Sequence, residues 1–127
     1  MFASDASISI YGVAAPHPRG YGTNARVLAK YVREEKVIPL QLAIKKLSKV
    51  AATSLHLSKY GELKVGKNAD VLVFDPNTIA DHATYEKPIQ YATGMIHVFV
   101  NGKQVLKDGK HTNAKPGKFV KGEGAKI

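Results

Sequence analysis

The spacing of apolar positions changes partway along the chain. Val27, Leu28, Tyr31 and Val32 recur at helical intervals and leave Lys30, Arg33 and Glu34 for an outer face. Thr23 or Asn24 is the expected N-cap, because its side-chain oxygen can accept from first-turn amides that have no helical partner. The helix is expected to stop near Lys36. Pro39 then suits the first turn of a second helix, with Leu40, Ala43, Ile44 and Leu47 as its buried stripe. A third helical piece is predicted over residues 51–57.

After Tyr60 and Gly61 the period becomes that of strands. The polar, Gly-punctuated stretch 61–70 reads as a tight turn into a buried strand of Val71, Leu72, Val73 and Phe74, closed by Asp75 and Pro76. Residues 77–93 show no sustained period and read as an extended connection. Two β-rich runs, 95–100 and 103–107, flank Asn101 and Gly102. Asn-Gly between strands signals a type I′ hairpin, whose two central residues need positive φ.

The two ends of the chain differ from this middle. Residues 1–7 have an apolar start followed by small polar residues, which suits the end of a buried strand entering a loop. Residues 6–21 are rich in Ser, Gly, Pro and Ala, with Pro16 and Pro18 on either side of His17. Loops beyond about 12 residues tend to be functional, so this one is a candidate for shaping a site. A poorly ordered N-terminal segment is the competing reading. Residues 113–127, rich in Lys and Gly, are predicted to be a mobile tail.

Composition narrows the classes. The 127 residues amount to one domain or less, and they include no cysteine, which removes disulfides, thiolate zinc sites and cysteine nucleophiles. No apolar run approaches the roughly 20 residues of a membrane span, and the start lacks the basic and apolar regions of a signal peptide. A soluble, cytoplasmic protein without a membrane partner is therefore expected. The net charge of +9 is uneven: residues 26–49 carry seven bases against Glu34 and Glu35, and residues 102–127 carry seven lysines against Asp108 and Glu123. Nucleic acid would exploit such charge through phosphate contacts. No stacking strand or groove-reading motif accompanies it, so a solvated helix face and a basic tail are expected and nucleic acid is not the expected partner. The strands are too few for a sheet with two covered faces, so further structure N-terminal to them is expected.

Chemistry could sit on a few residues. Asp5 follows an apolar start and precedes a long loop, the place where α/β barrels set functional carboxylates; a loop-capping Asx turn is the alternative. Arg19, on the Pro-containing loop, could hold a carboxylate through two parallel hydrogen bonds, or be an ordinary surface arginine. His17 lies on the same loop. His56, His82, His97 and His111 show no metal-ligand spacing, and His97 reads as a strand residue facing solvent or a neighbour. GxSxG, Walker A and dinucleotide fingerprints are absent.

The segment HPRGYGTNARVLAKYVREEKVIPLQLAIKKL, from His17 to Leu47, resembles the C-terminal part of N-acyl-D-amino-acid deacylases, the D-aminoacylase branch of the metal-dependent amidohydrolases. GELKVGKNADVLVFDPNTIADHATYE and VNGKQVLKDGKHTNAKPGK are similar to the family's passage from barrel to small β-domain and to its closing strands. The strand and hairpin are shared across the superfamily, whereas HPRxYGT with YVREE is narrower. The sequence departs from the pattern at Asn24 and Ala25, where an aromatic residue and a proline are usual.

The resemblance implies an α+β chain forming the C-terminal end of a (β/α)8 amidohydrolase barrel, its last strand and helices, followed by strands of a small β-domain. The implied division is 1–58 for the barrel part, 59–112 for the β-domain strands and 113–127 for the tail. The implied activity is zinc-dependent hydrolysis of the linear amide C–N bond of N-acyl-D-amino acids. Asp5 would be zinc ligand and general base, Arg19 would grip the substrate's α-carboxylate, and His17 would help to shape that pocket. The other ligands come from earlier strands in the family, so the isolated chain is expected to bind no zinc and to be inactive. Its expected partners are an N-terminal barrel portion or a second copy. A part of a cyclic-amide amidohydrolase, dihydroorotase- or hydantoinase-like, and a non-catalytic basic interaction fragment are the alternative functions.

Overall fold

The computed structural model describes residues 1–7, 10, 12 and 17–122. The architecture is α+β, with short helices and a four-stranded antiparallel sheet. Two compact units form. One combines residues 2–43 with 75–94, and the other holds Met1, residues 44–74 and the chain from Met95 onward.

In the first unit, helix α1 (Arg19–Arg26) begins directly after Pro18, ahead of the expected cap. The Pro18 carbonyl accepts the N–H groups of Tyr21 and Gly22, each at 3.1 Å. Thr23 lies inside the helix, and its hydroxyl donates to the Arg19 carbonyl at 2.8 Å. Gly20 and Gly22 lower the helical propensity of these turns and conceal them from a sequence reading. Gly22 is required for space, since a Cβ there would lie 2.9 Å from Oδ2 of Asp81.

The helix continues into an eight-residue π-helical stretch, Val27–Glu34. At its end the Glu35 N–H bonds to the Lys30 carbonyl, five residues back, at 2.8 Å. In this wider winding, residues five apart come to share a face. Val27, Leu28 and Ala29 are buried. Arg33 follows Leu28 by five and turns inward, donating through Nη1 to the carbonyls of Pro76 at 3.1 Å and Ile79 at 2.6 Å. Arg33 is thus not on an outer face, and Tyr31, expected in the buried stripe, is 39% exposed. The winding, rather than the choice of residues, causes both corrections. The helix does stop where expected, with Lys36 at φ +53°.

Helix α2 (Leu40–Leu47) opens on Pro39, whose carbonyl accepts the N–H groups of Leu42 and Ala43 at 3.1 Å. Of its expected stripe only Ala43 is fully buried, and Ile44 is exposed. In residues 75–94 the Asp75 carboxylate accepts the Asn77 N–H at 2.8 Å and the Thr78 hydroxyl at 3.0 Å, closing a turn that delivers Ile79 into the core. Ala80 and Thr93 then form an isolated antiparallel bridge. The rest of 77–93 is the extended connection expected.

The second unit holds helix α3 (Lys49–Ser54), shorter than predicted, and strands β1 (Val71–Phe74), β2 (Met95–Val100), β3 (Lys103–Lys107) and β4 (Lys110–His111) in sequential antiparallel order. Val71 lies opposite Phe99. The β2–β3 turn has φ +48° at Asn101 and +76° at Gly102, as a type I′ turn requires. It is tied to the approach of β1: the Asn101 N–H donates to the Asp70 carboxylate at 2.7 Å, and the Gly102 N–H to the Ala69 carbonyl at 2.9 Å. His97 faces neighbours, with Nδ1 accepting from the Asp108 N–H at 3.3 Å.

Strand β1 is not the buried strand expected. Successive strand residues point to opposite faces, and the neighbours Leu72 and Val73 are both exposed. A strand apolar on both faces needs a covering layer on each, and among the described residues β1 is covered only in part, with Val71 and Phe74 half-buried. The strand end expected within residues 1–7 is also not formed, because a strand needs an edge to pair with and the four strands pair only among themselves. Residues 8, 9, 11 and 13–16 of the expected functional loop, Pro16 included, and 123–127 of the expected tail lie outside the described residues. Among the described residues no helix is long and apolar enough to cross a membrane.

Candidate functional site

The predicted site residues gather within the helical unit. Pro18 launches α1, so Arg19 is its first residue and its side chain stays at the helix mouth. Arg19 Nη1 lies 3.3 Å from Oδ2 of Asp5, with Asp5 almost fully exposed and Arg19 about half. Asp5 has φ +50°, a left-handed conformation that aspartate tolerates better than most residues. An exposed pair of this kind contributes little to stability, about 0–1 kcal/mol, so packing does not explain its presence.

His17 joins the same cluster. Its Nδ1 accepts the backbone N–H of Arg19 at 3.1 Å, its Nε2 lies 3.2 Å from the Tyr85 hydroxyl, and the two rings meet edge to face at 5.1 Å. Tyr85 carried no signal in the sequence. It sits on a turn whose Thr84 N–H donates to the Lys87 carbonyl at 3.1 Å while the Lys87 N–H donates to the Thr84 hydroxyl at 3.0 Å. The Gln90 amide donates to the carbonyls of Lys87 and His82, closing the loop. Hydrogen bonds from its own backbone N–H and from the Thr84 hydroxyl hold the Glu86 carboxyl below the usual carboxylate range. Nearby, Arg26 pairs with Asp81 at 3.3 Å, and that hydrogen bond raises the guanidinium pKa further.

Asp5 meets a cation rather than further donors. Among the described residues no group of three His, Cys, Asp or Glu side chains could hold a metal ion. A catalytic zinc takes three protein ligands, so the residues present do not fit one by themselves.

The second unit has an open cleft of about 310 Å³ lined by Lys49, His56, Tyr60, Glu62 and Lys67 among others, and by none of Asp5, His17 or Arg19. Two lysines there share one glutamate. Lys49 and Lys67 both approach Glu62, at 2.5 and 3.5 Å, and the Lys49 hydrogen bond lowers the Glu62 pKa. The cleft brings none of the sequence-predicted site residues together, whereas Asp5, Arg19 and His17 meet in the first unit with Tyr85 and form the candidate site.

Known proteins place this cluster in context. The chain is 43% identical over 106 residues to an N-acyl-D-aspartate deacylase of Alcaligenes xylosoxydans xylosoxydans, a match covering 83% of this chain and 21% of that protein. It superimposes on the crystal structure of a D-aminoacylase, described as defining a novel subset of amidohydrolases, with a TM-score of 0.76 and 41% identity over 79% of this chain and 21% of the other. An N-acyl-D-glutamate deacylase from Bordetella bronchiseptica, solved with zinc and a phosphonate inhibitor, gives a TM-score of 0.72 at 39% identity over 77% of this chain and 22% of that one. The chain spans about a fifth of the length of these relatives. Residues 1–106 match the amidohydrolase family as a whole, and the chain belongs to that family.

Proposed function

We propose that this chain supplies the carboxylate and the substrate-gripping arginine of a zinc-dependent amidohydrolase acting on N-acyl-D-amino acids. The observation that supports this reading is the meeting of Asp5 and Arg19 at 3.3 Å. In an N-acyl-amino acid a single carbon separates the α-carboxylate from the amide nitrogen, so a base and a carboxylate anchor for the two must lie side by side. Arg19 would grip the α-carboxylate through two parallel N–H donors. Asp5 would accept a proton from the attacking water and return it to the leaving amine, and would contribute one metal ligand. Zinc, when bound, supplies the acidified water. The remaining ligands would come from parts of the relatives that this chain does not match.

In this reading residues 1–58 are the barrel part, with 1–7 becoming its last strand only where a neighbouring barrel strand offers an edge to pair with, followed by a loop and helices; 59–112 are strands of a small β-domain and 113–127 a tail. Residues 75–94 return within that division to pack with 2–43. An N-terminal barrel portion is the partner and the cytoplasm the setting.

The test grafts residues 1–106 in place of the matching fifth of a D-aminoacylase and assays zinc-dependent hydrolysis of N-acetyl-D-amino acids. Hydrolysis is expected to persist. Asp5→Asn in the graft should lower kcat by about 10²–10⁴-fold, the usual contribution of a positioned base. Arg19→Ala should raise KM for substrates with a free α-carboxylate and spare cyclic amides. A graft indifferent to Asp5→Asn would overturn the reading.

A further inference from the structure

We infer that Tyr85 is a positioning residue for the substrate-anchoring arginine, acting through the imidazole of His17. The inference rests on the reading of Arg19 as a carboxylate anchor, and its physical basis is a relay of three contacts. A backbone N–H can only donate, so the bond from the Arg19 N–H to Nδ1 of His17 requires that Nδ1 be unprotonated. In the neutral ring the proton is then on Nε2, which points it at the Tyr85 oxygen 3.2 Å away. The donor-only Arg19 N–H sets this tautomer, and Tyr85, whose hydroxyl can accept the Nε2 proton, holds the imidazole where Nδ1 meets the first turn of α1. The edge-to-face ring contact at 5.1 Å fixes the imidazole plane as well.

The relay has a rigid origin. Tyr85 is about three-quarters exposed, so burial does not hold it. Instead the reciprocal Thr84–Lys87 bonds and the Gln90 amide clamp the turn that carries it. The same loop is anchored on the other side by the Ala80–Thr93 bridge. A turn with this many side-chain bonds, at a surface position with no hydrophobic reason to be ordered, presents one phenol to one imidazole. The consequence falls on Arg19: its backbone is pinned at the N–H, while its guanidinium remains free to exchange Asp5 for a substrate carboxylate. Anchors of this type lose binding when their backbone drifts by about 1 Å.

The test uses the 127-residue chain labelled with 15N in its histidine rings. The wild-type chain is expected to show His17 with Nδ1 unprotonated and Nε2 protonated at neutral pH. Tyr85→Phe keeps the ring contact and removes the oxygen. It should shift the Nε2 resonance, which loses its phenol partner, and speed exchange of the Arg19 amide by roughly three- to tenfold, the worth of one hydrogen bond, as the imidazole loses its fixed position. The amides of Ile79 and Ala80, bonded within the same unit, should keep their exchange rates, which a general loosening would not allow. Tyr85→Ala should enlarge the Arg19 effect. A wild-type His17 protonated on Nδ1, or a Tyr85→Phe chain with unchanged ring shifts and Arg19 exchange, would overturn the inference. The two readings fail separately, because these signals come from the free chain whereas the anchoring role of Arg19 stands or falls with the grafted enzyme.

Discussion

The helical unit and the sheet unit are stabilised in different ways. Among the described residues, seven of the eight buried apolar ones, Ala25, Val27, Leu28, Ala29, Ala43, Ile79 and Ala83, belong to the helical unit and Ala52 to the other. The sheet has sequential antiparallel pairing, with register shifts at Val73/Phe74 and Val98/Phe99, and a tied hairpin, yet Leu72, Val73 and Ile96 remain exposed on it. Backbone pairing and a clamped turn can therefore define a strand order where burial does not. Among the described residues most of the fully buried side chains lie in the helical unit, which also carries the candidate site.

The sharpest way to break this comparison is at Gly94. Its φ is +83°, and a Cβ there would come within 2.4 Å of the Ile79 backbone, a clash that no side-chain rotation relieves. Gly94→Ala should destabilise the helical unit by at least about 4 kcal/mol in urea unfolding; a loss below about 1 kcal/mol would show that the two segments do not pack as described. Next comes a matched pair of truncations. Ile79→Ala removes a side chain only 1% exposed and should cost about 3 kcal/mol, whereas Leu72→Ala, at a residue 59% exposed, should cost less than about 1 kcal/mol. Equal costs in thermal melts would mean that the sheet has a core after all.

The smallest effect is in acid. Glu62 and Glu86 have folded pKa values below the ordinary 4.5, through Lys49 and through backbone and Thr84 hydrogen bonds respectively. Their contributions are present above that value and fade as pH falls below it through the folded values. Glu62→Gln should flatten the acid limb in amide exchange of the sheet unit alone, and a matching change at Ile79 would erase the distinction between the units.

The sequence was most legible where one or two residues dictate a backbone. Asn101 and Gly102 identified a hairpin because their shared φ sign leaves one turn type, and Pro39 identified a helix start because it lacks an N–H. Legibility failed where winding or side-chain bonds decided. Apolar spacing cannot distinguish winding closed by bonds four residues apart from winding closed five apart, so it places Tyr31 and Arg33 on each other's faces. Burial of Val71–Phe74 was inferred from composition, but burial depends on what covers a strand. Asp5 and Arg19 were visible as candidates from their place on a loop, while their meeting was not, since a loop has no period from which to read a contact. Tyr85 was missed because its turn is closed by Thr84 and Gln90, residues that look like ordinary linker.

The π-helical stretch also bears on how relatives should be aligned. Lys30 and Glu35 pair at 3.5 Å across five positions, the same interval that separates buried Leu28 from inward-turned Arg33. A relative whose helix keeps ordinary winding reaches the equivalent arginine one residue sooner after its buried triplet. Against such a relative, the faces of this helix would match only with a one-residue gap ahead of Arg33.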